Sequence, residues 1–546
     1  MVSLDTWAGS LSISRMKKLP WTHPIAARLE AHARPITYEE AAMYVRNQLR
    51  RYSVESVVSL ALELLQHGEP QSHEHLQTWP WITCLVVKLA CENDSIPLHG
   101  HGVRACPQHV FDRCRQALWD AQAGKDRLDD PRGGVYLMFR SMLQAQLAFQ
   151  SKPGWDFLRF PALVRRLPED HPCRMLFDQQ FGMTPNVFIC LCYASAALIF
   201  KGDRVLHPSS FKNLSQAFGA GVEKFFDLFS RDLLGLRAEL QRELKVRLDK
   251  GHPWRPRSEY NDFPWLSNFP LFKRSSNDYA VWHPLIFARG LENAVHRRLS
   301  LRKDEYAAEF SKVFEDYVLE LLSESGTVYL SEEEYKKRYG RDKNTVEAII
   351  TKDGSNIFVE SKMTAYSSEV TASGQAPVVW QGLKRVRQAM AQGWAVSTAL
   401  RSGDFADLAC SRAQEDFLIV VTSQQMMCAT GEHFRRLFKP GVFDPDEQRS
   451  TGSRPPSPDA QQLARLPLKN IIIASIAEFE HLMVAVGAGE LDLLGFLRKV
   501  AQANEDPRTS VMFLAQMLET APRLSRALIE ARSEAETTMK SILCPI

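Results

Sequence analysis

Three charged side chains near the middle of the chain have the types and the spacing for metal chemistry. Glu347, Glu360 and Lys362 lie in the stretch TVEAIITKDGSNIFVESK, in which runs rich in Ile and Val flank Asp353-Gly354. An Asp-Gly pair between such runs predicts a β-hairpin with a type I′ turn, because both central residues of that turn need a positive φ. Counting outward from the turn places Glu347 opposite Glu360.

This predicted register brings the three side chains together. Side chains alternate along a strand, so Glu360 and Lys362 share one face of the hairpin. Two facing carboxylates repel each other, whereas a divalent cation bound to both makes the arrangement favourable. Two carboxylates beside a lysine suit metal-assisted hydrolysis of a phosphodiester, in which Lys362 stabilises the developing charge. The alternative is an ordinary hairpin with exposed charges.

An amphipathic helix is predicted before the hairpin. The sequence FSKVFEDYVLELL begins at Phe310, and the helix ends at Gly326, a residue typical of the position beyond a helix C-terminus. Glu315 falls at the edge of the apolar stripe. From that edge its carboxylate can reach the rim of a sheet, and the alternative is a surface glutamate.

A second helix is predicted after the hairpin, in the sequence VVWQGLKRVRQAM from Val378. Gln381 falls in its first turn, from which the side chain can reach toward the hairpin. Lys384, Arg385 and Arg387 follow on the same helix and can contact a phosphate backbone. The alternative for these three is a solvated helix face.

Together these residues resemble the catalytic core of the PD-(D/E)XK nuclease superfamily, in which an acidic residue on one strand precedes Glu-x-Lys on the next. The resemblance implies a restriction-endonuclease-like α/β domain with a mixed central sheet that cleaves DNA. It implies Mg²⁺, with Mn²⁺ as a substitute, bound by Glu347 and Glu360. It also implies catalytic roles for Lys362, for Glu315 as an accessory acid and for Gln381. The similarity covers about 310 to 421, out to 486 at most.

One feature departs from that family pattern. The first acid of the family is usually Asp, often after Pro, whereas Glu347 follows Val346 here. Asp342 is an alternative first acid, although the hairpin register favours Glu347. The departure leaves a catalytically inactive, nucleic-acid-binding or assembly protein as an alternative function. An RNA-cleaving nuclease is a further alternative, because no reader of the 2′-hydroxyl can be recognised.

Composition limits the other classes of function. The chain has 546 residues, 45% of them hydrophobic and 24% charged, which is ordinary for globular proteins. Its net charge of +3 is too small for global attraction to nucleic acid, so DNA contacts must come from local patches. No G-x-x-x-x-G-K-[ST] motif is present, and no ATP site is therefore expected.

The sequence also predicts a cytoplasmic protein without a membrane segment. The start of the chain lacks the apolar stretch of a signal peptide. The longest apolar run, Val187 to Phe200, is shorter than the roughly 20 residues needed to cross a bilayer. Ten cysteines without any CxxC pair are typical of reduced, buried thiols.

The predicted organisation is a large, mostly α-helical N-terminal region followed by the α/β nuclease domain, an α+β chain overall. The helical region covers 1–300, as one unit or as two subdomains, and its part from about 251 to 300 is a connector. The first part of that connector, Gly251 to Lys273, is rich in Pro and aromatic residues and is predicted to be irregular. The nuclease domain covers 301–486, with a disordered insertion at about 443–463. Helices at 487–546 cover the sheet or pair with another subunit.

Two further clusters have chemical side chains but weaker spacing. His99, His101, Cys106 and His109 could supply zinc ligands, but they match no standard finger, and a polar loop followed by a helix is the alternative. A basic run in 289–303 could bind phosphate or form a solvated face.

A large non-catalytic half joined to a small nuclease indicates control of the activity. By resemblance, this arrangement is similar to bacterial anti-phage defence nucleases, in which a sensor region restrains the nuclease. We therefore expect the helical half to sense a trigger, such as a phage-derived protein. A homo-oligomer is also consistent with the sequence.

Overall fold

The computed structural model describes most of the chain from residue 37 onwards. The described ranges are 37–70, 72–100, 103–122, 134–146, 149–150, 154–251, 257–300, 303–340, 345–363, 368–373, 376–401, 409–437, 465–506, 509–520 and 522–543. The predicted insertion at 443–463, the alternative acid Asp342 and the candidate ligand His101 lie outside these residues.

Helices dominate the first half of the chain, as predicted. In chain order they are α1 (Tyr38–Leu49), α2 (Val54–Gln66), α3 (His73–Leu76), α4 (Pro80–Glu92), α5 (Gln108–Gln122), α6 (Gly134–Gln146), α7 (Arg159–Arg165), α8 (Pro172–Phe181), α9 (Pro185–Phe200), α10 (Lys212–Phe218), α11 (Gly221–Phe229), α12 (Leu233–Asp249) and α13 (Pro284–Leu299). Local signals set their starts: Thr37 and Glu40 form a capping box at α1, and Ser53 caps α2.

A small sheet in the first half is absent from the sequence prediction. Its strands are β1 (Val205–Leu206), β2 (Ser230–Arg231), β3 (Leu271–Ser275) and β4 (Asp278–Val281), in the order β1-β4-β3-β2. Within the predicted connector, the described residues form two short 3-10 helices, Arg257–Asn261 and Trp265–Asn268, and then the β3–β4 hairpin and α13. Strands of two to five residues that pair over long sequence distances give little periodic signal.

The second half combines helices with a larger sheet. Its helices are α14 (Lys303–Glu324), α15 (Glu332–Tyr339), α16 (Ser368–Ala372), α17 (Ala376–Gly382), α18 (Lys384–Ala399), α19 (Gly431–Leu437), α20 (Ile476–Gly487), α21 (Leu493–Ala503) and α22 (Arg526–Leu543). Its strands are β5 (Leu330–Ser331), β6 (Ala348–Lys352), β7 (Ser355–Lys362), β8 (Glu415–Thr422) and β9 (Ile471–Ser475).

The larger sheet is mixed, which confirms the prediction of a mixed central sheet and an α+β chain. The strand order is β5-β6-β7-β8-β9, with β5, β6 and β7 antiparallel and β7, β8 and β9 parallel. The apolar run from Asp416 forms β8, next to the centre of the sheet, as its continuous hydrophobicity predicts. The carboxyl ends of the three parallel strands therefore lie at one edge of the sheet.

Two predicted helices are wrong in their extent. The helix predicted from Val378 is divided at Leu383 into α17 and α18. In the stretch predicted as helices at 487–546, the described residues form α-helix only at Leu493–Ala503 and Arg526–Leu543. Pro522 explains the second difference, because proline lacks the backbone N–H and clashes with the preceding turn of a helix.

Three clusters of buried apolar side chains hold the molecule together. The largest draws on both halves: α9 and α13 supply Phe188 and Leu291, and α14, β8 and α21 supply Phe314, Ile419 and Leu497. A second cluster lies among α1, α2, α4, α5 and α12. The third covers the opposite face of the larger sheet, between β6–β8 and helices α17 and α18. The predicted boundary near residue 300 thus lies within a shared core.

The predicted buried helix in the Val187 to Phe200 run is α9, most of whose side chains are buried. Within the described residues, no single helix is both long and apolar enough to cross a membrane. The helices α8 and α9, which are bent by 53° relative to each other, together reach the length and apolar composition of a membrane-crossing segment, and only length and composition support that reading.

Candidate active site

The predicted hairpin is present with the predicted turn and register. Asp353 and Gly354 have φ values of 47° and 71°, as a type I′ turn requires. Ile349 pairs with Phe358, and Ala348 pairs with Val359, at the end of the ladder. One further step along the same register places the residue before β6, Glu347, opposite Glu360.

Hydrogen bonds fix both carboxylates at this end of the hairpin. The Glu347 carboxylate accepts bonds from the backbone N–H of Ser361 and, at 2.8 Å, from its hydroxyl group. The Glu360 carboxylate forms an ion pair with the Lys362 ammonium. Ser361 was not predicted to have a role, yet it supplies both donors that orient Glu347.

The two acids are buried, whereas the lysine is partly accessible. Glu347 is 8% exposed and Glu360 is 3% exposed, and the side chain of Lys362 is 17% exposed. The structure therefore shows the three side chains together, with both carboxylates largely shielded from solvent.

Burial and mutual repulsion disfavour two negative charges in this position. Burial raises the pKa of Glu347 well above its usual range, and the charge of Glu360 raises it further, while Lys362 opposes both effects. Burial also raises the pKa of Glu360, against the attraction and hydrogen bond of Lys362. Because burial disfavours the charged form of each acid, a bound cation would offset that penalty.

Glu315 lies where the apolar stripe of its helix predicts. Phe314 and Val318 of α14 are fully buried, whereas the Glu315 side chain at the stripe edge is 24% exposed. Its carboxylate pairs with Lys312 at 3.0 Å. Its charge also raises the pKa of Glu347, as the smallest of several effects. Among the described contacts, none joins Glu315 directly to Glu347 or Glu360.

Sequence reasoning missed a fourth acid, Glu332, on the first turn of α15. Its backbone N–H donates to the Glu347 carbonyl oxygen at 3.0 Å, and its charge raises the pKa of Glu360. The capping box of Ser331 and Glu334 marks the start of this helix in the sequence. Its position beside the hairpin depends on the pairing of β5 with β6, which no local pattern reveals.

Gln381 has no contact with the two carboxylates among the contacts of the described residues. Gln381 is exposed near the end of α17, and among the described contacts no hydrogen bond links it to Glu347 or Glu360. The break between α17 and α18 explains this position, because Gln381 ends a short helix instead of beginning a long one. Gly382 packs closely against Val370, which fixes where the break lies.

The three basic residues of α18 fall into two environments. Lys384 and Arg385 are exposed on its first turn and are available to an external phosphate. Arg387 instead stacks over the Trp380 ring, with its guanidinium carbon 3.9 Å from the ring centroid. Arg387 therefore has a packing contact that the other two lack.

The described residues of the two weaker clusters form no metal-ligand group. His99 lies 3.7 Å from Glu55, Cys106 is buried and His109 is exposed. In the basic run, Arg297 donates to Asn268 and to backbone oxygen atoms, and Arg298 donates to the Leu228 carbonyl group. These two half-buried arginines are thus hydrogen-bonded within the protein, which neither alternative predicts. The nine described cysteines are free and buried, as predicted.

The donor set at the hairpin suits a hard cation that retains water. Among the described residues, no group of three or more His, Cys, Asp or Glu side chains is placed to hold a metal ion. Mg²⁺, however, is commonly bound by one or two carboxylates together with water and substrate phosphate. Glu347 and Glu360 are such a pair, and the charge of Lys362 lies beside them. Comparison of the whole chain with protein-family models, curated proteins and solved structures finds no match.

Proposed function

We propose that this chain is a metal-dependent endonuclease that hydrolyses DNA phosphodiesters at Glu347, Glu360 and Lys362. The observation that carries the proposal is the pair of buried acids beside a lysine at the carboxyl end of β7. Facing carboxylates destabilise the hairpin unless a cation binds them. The resemblance to the PD-(D/E)XK superfamily assigns the same three positions.

Each residue has a role that its environment supports. A Mg²⁺ ion bound by Glu347 and Glu360 would polarise the phosphate and activate water. Ser361 orients Glu347 through its two hydrogen bonds. Lys362 supplies a positive charge that stabilises the charge developing on the phosphate. Glu315 adds negative charge beside Glu347 and supports the cation.

Nucleic-acid binding is assigned to the exposed start of α18. Lys384 and Arg385 project from the helix that covers the same face of the sheet as Phe358. Contacts from such side chains to phosphates position a duplex without reading its sequence. Arg387, held over Trp380, contributes through packing, and Gln381 acts only if substrate brings it to the site.

We further propose that the first half of the chain restrains the nuclease, as in a bacterial anti-phage effector that responds to a phage-derived trigger. The support is the shared core: apolar side chains of α9 and α13 pack in one cluster with α14 and β8. A change in the helical half can therefore reach the elements that carry Glu315 and Glu360. DNA is the partner that we propose for the site, without a role for a membrane or for ATP.

Plasmid cleavage tests the proposed reaction. The full chain is incubated with supercoiled DNA and Mg²⁺ or Mn²⁺, beside Lys362→Ala and the control Lys352→Ala. Lys352 lies at the turn end of the same hairpin and pairs with Asp492, away from the acids. We expect metal-dependent cleavage by the native chain and the control, and its loss in Lys362→Ala. Equal cleavage by all three would refute the assignment of the site.

The alternative is an inactive nucleic-acid-binding protein with the same fold. The burial of both acids and the direct pairing of Glu360 with Lys362 favour it, because an ion pair already satisfies the lysine. Tight DNA binding without metal, together with no cleavage of DNA in any condition, would support this alternative. Parallel assays on single-stranded RNA separate an RNA nuclease from both.

A further inference from the structure

Helix α6 belongs to the first half of the chain but packs beside the candidate site. Leu137 is buried in the cluster that covers the site face of the sheet, together with Tyr335, Ile349 and Phe358. The helix also packs against α16 and α19, which follow the carboxyl ends of β7 and β8. Thus a single helix of the first half contacts the edge from which Glu360 and Lys362 project.

Arg140 of α6 joins two segments at this edge. Its side chain is 1% exposed. Its Nε donates to the Met426 carbonyl oxygen at 3.0 Å, and one terminal nitrogen donates to the Val370 carbonyl oxygen at 3.0 Å. Val370 lies on α16, shortly after Lys362, and Met426 lies shortly after the last residue of β8. The guanidinium therefore holds the continuations of two neighbouring strands together.

The backbone next to one of these bonds is strained. Met427 has a φ of 53°, a conformation that residues other than glycine rarely adopt. Strained residues persist where surrounding contacts hold them, and they relax when those contacts are lost. The bond from Arg140 to Met426 is such a contact. Its loss would favour rearrangement of this segment.

We propose that Arg140 is an internal clamp that restricts access to the candidate active site, and that its release speeds cleavage. This inference rests on the proposed nuclease function. Glu347 and Glu360 are largely shielded from solvent, and movement of the segments at this edge would expose them to substrate. Arg140 connects those segments to the first half, so a trigger that displaces α6 would open the site.

The clamp is tested with Arg140→Met in the full chain. Methionine fills similar space without donating to the two carbonyl oxygens. The matched control is Arg237→Met, because Arg237 also donates to backbone carbonyl groups but only within the first half, at Cys91, Asn93 and Ile96. Arg140→Lys, which keeps the charge but loses the forked geometry, is a second variant in case methionine prevents folding.

Hydrogen exchange measures the clamp independently of cleavage. We expect amides in 368–373 to exchange at least about tenfold faster in Arg140→Met, and less so in Arg140→Lys, because each hydrogen bond from a charged donor contributes a factor of ten or more. Arg237→Met should leave these amides unchanged. Unchanged exchange in both Arg140 variants would overturn the clamp.

Cleavage then tests what the clamp controls. We expect Arg140→Met to raise the rate of Mg²⁺-dependent plasmid cleavage by at least about tenfold, and Lys362→Ala in the same chain to abolish the gain. A native chain that cleaves while Arg140→Met cleaves no faster, or more slowly, overturns the proposal and leaves the nuclease function intact. Faster exchange in Arg140→Met without cleavage by any variant overturns the nuclease function and supports the clamp alone.

Discussion

We expect Glu347→Gln to be more stable than the native chain when no metal is present. When Mg²⁺ is present, we expect Glu347→Gln to be the less stable of the two proteins. Glutamine can keep both contacts with Ser361, because its carbonyl oxygen accepts from the backbone N–H and its amide donates to the hydroxyl oxygen. The substitution therefore removes one negative charge and leaves the local hydrogen bonding in place.

The magnitude follows from the hairpin geometry. Facing side chains have Cβ atoms about 5 Å apart, and two unit charges at that distance repel by about 3 kcal/mol at an effective dielectric constant of about 20. Attraction between Glu347 and Lys362 offsets most of this repulsion, and the cost of burying the charge remains. We expect Glu347→Gln to raise the free energy of unfolding by on the order of 1 kcal/mol at pH 8 in EDTA.

Adding Mg²⁺ should reverse which of the two proteins has the higher free energy of unfolding. At a Mg²⁺ concentration ten times its dissociation constant, a ligand that binds only the folded state contributes about 1.4 kcal/mol. The native chain should gain this amount and Glu347→Gln should gain almost none, since one of its two charged ligands is gone. Urea denaturation followed by tryptophan fluorescence, with EDTA or Mg²⁺, measures both differences.

Glu478→Gln is the control for removing a buried acid. Glu478 is also buried, with a pKa that burial raises, and it too accepts bonds from the backbone N–H and the hydroxyl group of one serine, Ser475. It lies on α20, outside the candidate site, so Mg²⁺ should stabilise Glu478→Gln as much as the native chain. If Mg²⁺ stabilises Glu347→Gln equally well, or if Glu347→Gln is the less stable protein in EDTA, the reasoning is refuted.

The difference in metal-free stability between Glu347→Gln and the native chain should increase with pH. Because the pKa of Glu347 is raised above its ordinary value of 4.5, the folded state binds more protons than the unfolded state above that pH. The metal-free stability of the native chain therefore falls as pH rises from about 4.5 through the folded pKa. Glu347→Gln lacks this loss, so its advantage should grow over that interval. Equal pH profiles would contradict the raised pKa.

Two further predictions concern the shared core and the DNA contacts. Arg159→Met should lower the free energy of unfolding by about 3 kcal/mol. The reason is that Glu480 stays buried and keeps, among the described contacts, only its hydrogen bonds with Tyr317 and Ser525. The double variant Arg159→Met/Glu480→Gln should recover part of that loss, as measured by urea denaturation. Lys384→Glu/Arg385→Glu should weaken DNA binding and lower the magnitude of the slope of log affinity against log salt concentration by about 2. The control Lys201→Glu/Lys250→Glu changes two exposed residues in the first half and should alter neither the affinity nor the slope. Fluorescence anisotropy with labelled DNA measures both quantities.

Local chemistry made part of this structure predictable. Asp353 and Gly354 specify a turn whose φ values leave one register, and that register alone places Glu347 opposite Glu360. Capping residues such as Thr37 and Ser53 set helix starts for the same reason, because their hydrogen bonds reach only a few residues along the chain.

Contacts between distant segments could not be predicted in this way. Glu332 reaches the site through the pairing of β5 with β6, and Arg140 reaches it from a helix more than two hundred residues before its partners. The break at Leu383, which moves Gln381 away from the acids, also depends on tertiary packing, because Gly382 fits closely against Val370. Single-sequence periodicity carries none of this information.

The shared core changes how the restraint must be studied. A chain that begins near residue 304 would lose α9 and α13, whose side chains Phe188 and Leu291 are buried with those of α14 and β8. Such a truncation would expose apolar surface as well as remove the regulator, so any change in its activity would have two causes. Point substitutions that leave the core filled, such as Arg140→Met, separate restraint from folding.

Burial of the acids bears on the choice between an enzyme and an inactive relative. Lys362 neutralises at most one of the two charges, and Glu347 needs no carboxylate to hold Ser361, since glutamine would form both bonds. A purely structural hairpin therefore gains nothing from the second negative charge and loses stability through it. A bound cation is the simplest physical reason for both acids, and the proposed release of Arg140 would then control how substrate reaches that cation.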